Sequence, residues 1–447
     1  MRTLPVVMLA TALAACAQAP APRTPAPVAV APPVAEVTPA PPVLAAEPAP
    51  VAPPAWIGRL TETAKANALK LDYADGVFSG PAWDKLVVEG KAAQFLLVGE
   101  EHGIAENPKL MGQLFETLAK EGYSKFVIEV SPPMAEALDG AAKTGMTGLK
   151  ALYANEGGEP AFFGMQEETE MLARVRKSVP AATPVFWGVD YEVGGDRLLI
   201  TKLEAMTKPK AAQDALANLR AASKASWDKY NAEKNPQFIF TFAGDPALVR
   251  AVRDAWPQRS AEASSILTTL EETLEINRMW VNGKGFDSNV RRSGNMRANF
   301  LAHWNKVRTQ KASSKVFAKM GLSHLVRGRN MSDVYDIGAL VPELAMIEGV
   351  KSLQVGILPG NGTSTAVFDP VAWRYNPSDP KDNYNKRLEP LYAAAHADAF
   401  TLIDLRPLRA VMPRWREGMD LELMRIVHGL DLLLIMSGST PSSNITQ

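Results

Sequence analysis

Short apolar runs recur along this chain, and each is stopped by charged or turn residues. Phe95-Leu96-Leu97-Val98 halts at Gly99 and is followed at once by Glu100, Glu101 and His102. Phe126-Val127-Ile128 carries Glu129 before Val130, and Ser131-Pro132-Pro133 ends it. Val185 to Val189 runs into Asp190-Tyr191-Glu192, and Lys315 to Met320 runs into Gly321-Leu322-Ser323-His324. Leu353 to Leu358, Phe400 to Asp404 and Leu430 to Met436 complete the series. Runs of this length bounded by turn signals predict buried strands. Between them the apolar positions take helical spacing. Helices are expected over Ile57–Leu71, Ala82–Glu89, Met134–Leu138, around Leu149, Met165–Val179 and Ile337–Ile347. Another starts at Asn107-Pro108, read as a cap and first-turn proline, and a long one, Val290–Val307, follows Asp287 as its cap.

Strand and helix in alternation give an α/β fold, a mostly parallel sheet flanked by helices. From about 208 to 285 the alternation stops, and an Ala- and Glu-rich helical insertion is expected over one end of the sheet, as a lid or a passive cap. Pro359 to Pro380 is turn-rich and reads as a surface excursion. The globular body spans 55–437, and the Ser/Thr/Pro-rich residues 438–447 form a tail expected to fray.

The amino-terminal end has a different character. Met1-Arg2 is followed by an apolar run, Leu4–Ala15, about as long as a signal-peptide core and too short to span a bilayer. It ends Leu13-Ala14-Ala15-Cys16, which looks like a bacterial lipobox with lipid attached at Cys16; a plain secretory signal with a chance cysteine is the alternative. Residues 1–16 are thus expected to direct export, and 17–54, nearly all Ala, Pro and Val, to tether the body to the membrane through that lipid. The expected location is the bacterial envelope, facing the periplasm or the cell surface. Cys16 is the one cysteine, which excludes a disulfide framework. Lys+Arg and Asp+Glu both total 48, so no global charge draws the chain to nucleic acid.

Five histidines are present, and two of them, His102 and His324, lie just beyond predicted strand ends. Parallel strands present their carboxyl ends on one rim, where open α/β sheets bind ligands, so both imidazoles project from the same rim. His303, His396 and His428 fall in helices or loops and read as surface or satisfied core residues. Glu129 is a carboxylate in an apolar strand and must meet a cation or lie at the strand's open end; an arginine of the long helix is one such cation. Asp190 and Glu192 resemble it in placement. Arg292, Arg297 and Asn299 are candidates to hold an anion or a carbonyl oxygen, or else form an exposed basic stripe. No Gly-x-Ser-x-Gly elbow follows a strand.

The run Leu97-Val98-Gly99-Glu100-Glu101-His102, the later Val127-Ile128-Glu129 and the segment Lys319 to Gly328 together resemble the erythromycin esterase-like and ChaN-like superfamily. That group has a Gly-Glu-x-His signature after its first strand, a glutamate ending the second and a distant histidine after a later one. Asn295-Met296 through Asn299 is similar to its arginine-and-methionine helix. The resemblance implies a hydrolase of an ester or lactone, with His102 as general base, Glu100 or Glu129 orienting it, and His324 or Arg297 stabilising negative charge. Arg292, Arg297, Asp190 and Arg327 become candidate substrate-binding residues. A variant has a divalent metal held by Glu100, His102, Glu129 and His324, with mixed imidazole and carboxylate ligands suited to zinc or manganese. The esterases usually space glutamate and histidine one residue further apart; the Glu100/His102 spacing is nearer to the haem-binding lipoproteins. The alternative ligand is therefore haem or a haem-like molecule, bound without catalysis.

Overall fold

A computed structural model describes residues 55–445 apart from 183, 310–313, 380–385 and 414–419. The fold class is α/β. Eleven strands occur among these residues: β1 (Ala68–Ala74), β2 (Val77–Ser79), β3 (Phe95–Glu100), β4 (Tyr123–Ile128), β5 (Phe186–Gly188), β6 (Lys315–Gly321), β7 (Ser352–Pro359), β8 (Thr365–Asp369), β9 (Arg374–Ser378), β10 (Phe400–Asp404) and β11 (Leu432–Met436). Nine form one sheet in the order β2-β1-β10-β11-β7-β3-β6-β4-β5. From β11 to β5 the strands are parallel; β10, β1 and β2 add an antiparallel edge.

β3 lies in the middle, every residue of it buried. Its alternate side chains feed two different cores: Leu96 and Val98 pack with helices on one face, Phe95 and Leu97 with those on the other. That two-sided burial is why the strand reads as an unbroken apolar run. The first face carries α2 (Pro81–Ala92), α3 (Glu106–Ala119), α4 (Pro132–Ala142), α5 (Met146–Tyr153) and α6 (Gln166–Ser178), following α1 (Ala55–Ala66). A helical layer then runs through α7 (Asp196–Ala205), α8 (Lys210–Glu233), α9 (Phe240–Ala243), α10 (Pro246–Ala255) and α11 (Ala261–Val281), with its own buried cluster around Leu219, Trp227 and Leu267. The opposite face is covered by α12 (Gly285–Val307) and α14 (Ile337–Ile347), with the single turn α13 (Leu322–Leu325) between them. No described helix is long and apolar enough to cross a membrane.

One topological detail positions the site. β6 comes more than two hundred residues after β3, yet it inserts between β3 and β4, pairing Glu100 with Gly321 and Ile128 with Lys319. Three strand ends distant in sequence therefore share one short stretch of rim.

Several local expectations are corrected. The first helix stops at Ala66, and Ala68–Ala74 is a strand, paired with β10 over Ala68–Leu71 and with β2 over Asp72–Ala74, because Leu69, Leu71 and Tyr73 alternate rather than follow a helical stripe. Asn107 is inside α3, not its cap; its amide donates instead to the Glu101 carbonyl and fixes the turn behind His102. Asp287 lies in the first turn of α12, whose cap position is Lys284. The surface excursion contains an antiparallel hairpin, β8 with β9. The tail does not fray as far as Ile445: Thr440 and Ser443 bond the carboxylates of Glu106 and Glu167. Cys16 and the tether 17–54 lie outside the described residues.

Candidate active site

Glu100 is the last residue of β3, and Glu129 follows the last residue of β4 directly. Gly321 ends β6 between them, and its N–H donates to Glu129 Oε2 at 2.7 Å. A Cβ at Gly321 would stand 3.2 Å from His102 Nε2 and 3.4 Å from Glu129 Oε2, so the missing side chain makes room for the imidazole. Past Gly103, with φ +86°, the backbone turns where a Cβ would lie 2.1 Å from the Ala366 carbonyl oxygen. Only glycine fits there.

The side chains form a buried chain of alternating charge. Glu168 Oε2 of α6 is 3.1 Å from Lys319 Nζ, which donates to Glu100 Oε1 at 2.5 Å. His102 Nδ1 is 3.0 Å from the same Glu100 oxygen, and its Nε2 is 3.5 Å from Glu129 Oε2. Glu129 Oε1 lies 3.3 Å from His324 Nε2, and His324 Nδ1 is 2.7 Å from Asp336 Oδ2. Asp336 caps α14 with its other oxygen, so the helix start orients the imidazole. Arg292 of α12 clamps Glu129 at 3.0 Å and Asp190 at 3.0 and 2.5 Å. His102 is 8% exposed and His324 4%; Glu100 and Lys319 are fully buried.

Electrostatics follow from these contacts. Burial alone would lower the pKa of His102, but Glu100 and Glu129 outweigh it and raise the value to about 9. His324 is raised to about 10 against the same burial, by Glu129 and Asp336, with Arg292 opposing. Burial works against ionising Glu129, yet His324 and His102 hold its pKa well below the ordinary carboxylate value. Glu100 is lowered too, against burial, chiefly by Lys319. Burial pushes Glu168 up to about 7, only partly offset by Lys319. At neutral pH both rings are imidazolium ions around one carboxylate. Each Nε2 is ion-paired with Glu129, yet neither makes an aligned hydrogen bond, although both are buried.

Phe162 covers the other side of His102, ring on ring at 4.3 Å and 14°. Its φ is +61°, a left-handed conformation costly for a bulky residue, and its N–H donates to the Tyr375 hydroxyl at 2.9 Å. Tyr375 belongs to β9 and exchanges hydrogen bonds with the Asn444 side chain of the tail.

Of the residues singled out from sequence, Glu100, His102, Glu129, His324, Arg292 and Asp190 meet here. Arg327 does not; it pairs with Asp431 at 2.9 Å. Arg297 lies on another face of α12, its Nε bonding the Ser293 carbonyl. Asn299 donates to the Val189 carbonyl, and His303 stacks on Trp187. Glu192 is buried apart from the chain, accepting from Ser131 Oγ at 2.6 Å. Sequence reading missed Lys319, Glu168, Asp336 and Phe162. Lys319 carries the signal that revealed Glu129, a charge inside an apolar strand. The others carry none.

Among the described residues no group of three or more His, Cys, Asp or Glu side chains is arranged to hold a metal ion. The charges agree with that geometry. A divalent ion between Glu100, His102, Glu129 and His324 would stand beside Arg292 and Lys319, cations that already pair with Glu129 and Glu100.

No protein-family model matches the chain, and no curated protein matches it. Solved structures do. A succinoglycan biosynthesis protein superposes with a TM-score of 0.55 at 12% identity, covering 87% of this chain and 98% of that one. A protein from Bacillus cereus gives 0.50 at 16% identity, covering 87% and 99%. A mutant of the erythromycin esterase EreC in its open conformation gives 0.53 at 12% identity, covering 82% and 95%. At such identities the likeness is one of fold: the chain has an erythromycin esterase-like fold.

Proposed function

We propose that this protein is a hydrolase of an ester or lactone, anchored in the bacterial envelope through lipid on Cys16. The observation that carries the chemistry is the pair of Nε2 atoms converging on Glu129, both buried and both without an aligned hydrogen bond. A water or substrate oxygen between them would satisfy both. His102, once it has lost its proton, is the general base for the attacking water, held by Glu100 at Nδ1. The water oxygen bonds the carbonyl carbon as its proton passes to His102 Nε2. His324, protonated throughout and fixed by Asp336, stabilises the oxyanion, and His102 passes its newly gained proton to the leaving alcohol as the C–O bond breaks.

The test is turnover of a panel of 4-nitrophenyl esters and lactones by the purified protein. His102→Ala and His324→Ala should each lower kcat about a hundred- to ten-thousand-fold with the circular dichroism unchanged. A protein inert across a broad panel would overturn the proposal. Haem ligation draws no comparable support. It needs room for a planar macrocycle beside an imidazole, whereas His102 and His324 are 8% and 4% exposed and Phe162 lies flat on the His102 ring. A haemin titration giving a sharp Soret band that His102→Ala removes would reverse that judgement.

A further inference from the structure

His102 and His324 differ in how they are reached. Phe162 lies flat on His102, whereas His324 forms one end of a small cavity of about 10 Å³ shared with Arg292 and Asp336. Ser293 and Val334 line this cavity and also a neighbouring groove of about 350 Å³. The groove runs between the first half of α12 and the turn 329–335. Its helical wall is the stripe Phe286, Val290, Ser293, Arg297, spaced by four, three and four residues and so on one face of the helix. The eleven steps from Phe286 to Arg297 give a wall of about 16 Å.

Two properties of the groove define what it would hold. Phe286 is 58% exposed, Val290 45% and Tyr335 56%, three large apolar side chains facing water in one place. Single exposed apolar residues are ordinary, but a cluster lining a concavity next to buried charged groups marks a ligand site. The charge is equally particular. Asp333, the groove's carboxylate, is already held by Arg425 at 2.5 Å and Arg329 at 3.5 Å. Arg297 donates to the Ser293 carbonyl and has no carboxylate within ion-pair distance among the described residues. The groove therefore has an apolar floor and a cation lacking a counterion.

Resting on the hydrolase reading above, we infer that this groove binds the body of the substrate, and that the substrate is an amphipathic ester or lactone bearing an anionic group that pairs with Arg297. The reactive end of the substrate then points past Ser293 and Val334 toward His324 and Arg292, while the apolar portion covers Phe286, Val290 and Tyr335.

The experiment compares two fluorescent probes with nearly the same apolar body, 8-anilinonaphthalene-1-sulfonate and uncharged N-phenyl-1-naphthylamine, titrated into the protein and into Arg297→Gln and Val290→Asp. Both substitutions are on the helix surface, and thermal melts check that the fold persists. The sulfonate should bind at one site roughly tenfold more tightly than the neutral probe. Arg297→Gln should abolish that preference while leaving the neutral probe unaffected, and Val290→Asp should weaken both. Equal affinities in the unmodified protein, a preference that survives Arg297→Gln, or indifference to Val290→Asp would each overturn the inference. Binding is read without turnover, so the two readings fail separately. Probe results as expected beside an absence of hydrolysis would support the groove and defeat the hydrolase; where an ester is turned over, the sulfonate should raise its KM and leave kcat unchanged.

Discussion

His102 keeps its proton because two carboxylates flank it, and this sets the pH behaviour of the proposed chemistry. With a pKa of about 9, a ring at pH 7 is deprotonated in only about one molecule in a hundred. Hydrolysis should therefore rise with pH until His102 is neutral near 9, and fall once His324 is neutralised near 10. A kcat/KM profile measured from pH 6 to 11 checks this; a plateau reached by pH 7 would remove His102 as the base. Stability should run the other way. Both folded-state values lie above the ordinary 6.5, so the stabilisation from holding these protons is complete below about 6.5 and is lost as pH rises through 9 and 10. For His102 the loss is on the order of 3 kcal/mol, visible in urea melts at pH 7 and 10.5. Lys319 is the other decisive residue. Replacing it with Met leaves Glu100 and Glu168 buried without their shared cation, and should cost about 3–5 kcal/mol by urea unfolding.

At the level of elements, β3, β4 and β6 were legible as apolar runs, and so was the placing of Glu100, Glu129 and His324 at their ends. What sequence could not supply was neighbourhood. Nothing in Lys315–Gly321 says that it enters between β3 and β4, and that pairing is what joins Lys319 to Glu100. Arg327 was misplaced for the same reason: it follows His324 closely in sequence, but beyond α13 the chain carries it toward Asp431. Phe162 gave no signal because its role depends on a left-handed backbone pinned by a hydroxyl from β9. Phe162→Gly should relieve that strain and uncover the ring. Carbethoxylation of His102 by diethylpyrocarbonate, followed by mass spectrometry, should then be faster than in the unmodified protein. Gly103→Ala should do harm instead, since the added Cβ meets the Ala366 carbonyl at 2.1 Å in a backbone with φ +86°. A loss of about 2 kcal/mol or more is expected by thermal melting.

Across the whole molecule, the pairings that build the site are long in sequence, as in any sheet whose central strand waits for late partners. The last such contact is the tail, whose Thr440 reaches Glu106 across 334 residues and whose Asn444 braces Tyr375 behind Phe162. That brace is open to trimming. A chain cut just before Thr440 keeps every strand of the sheet but loses the bonds to Glu106 and to the β9 backbone behind Phe162. Such a cut should leave the scaffold standing and the imidazole bare to water.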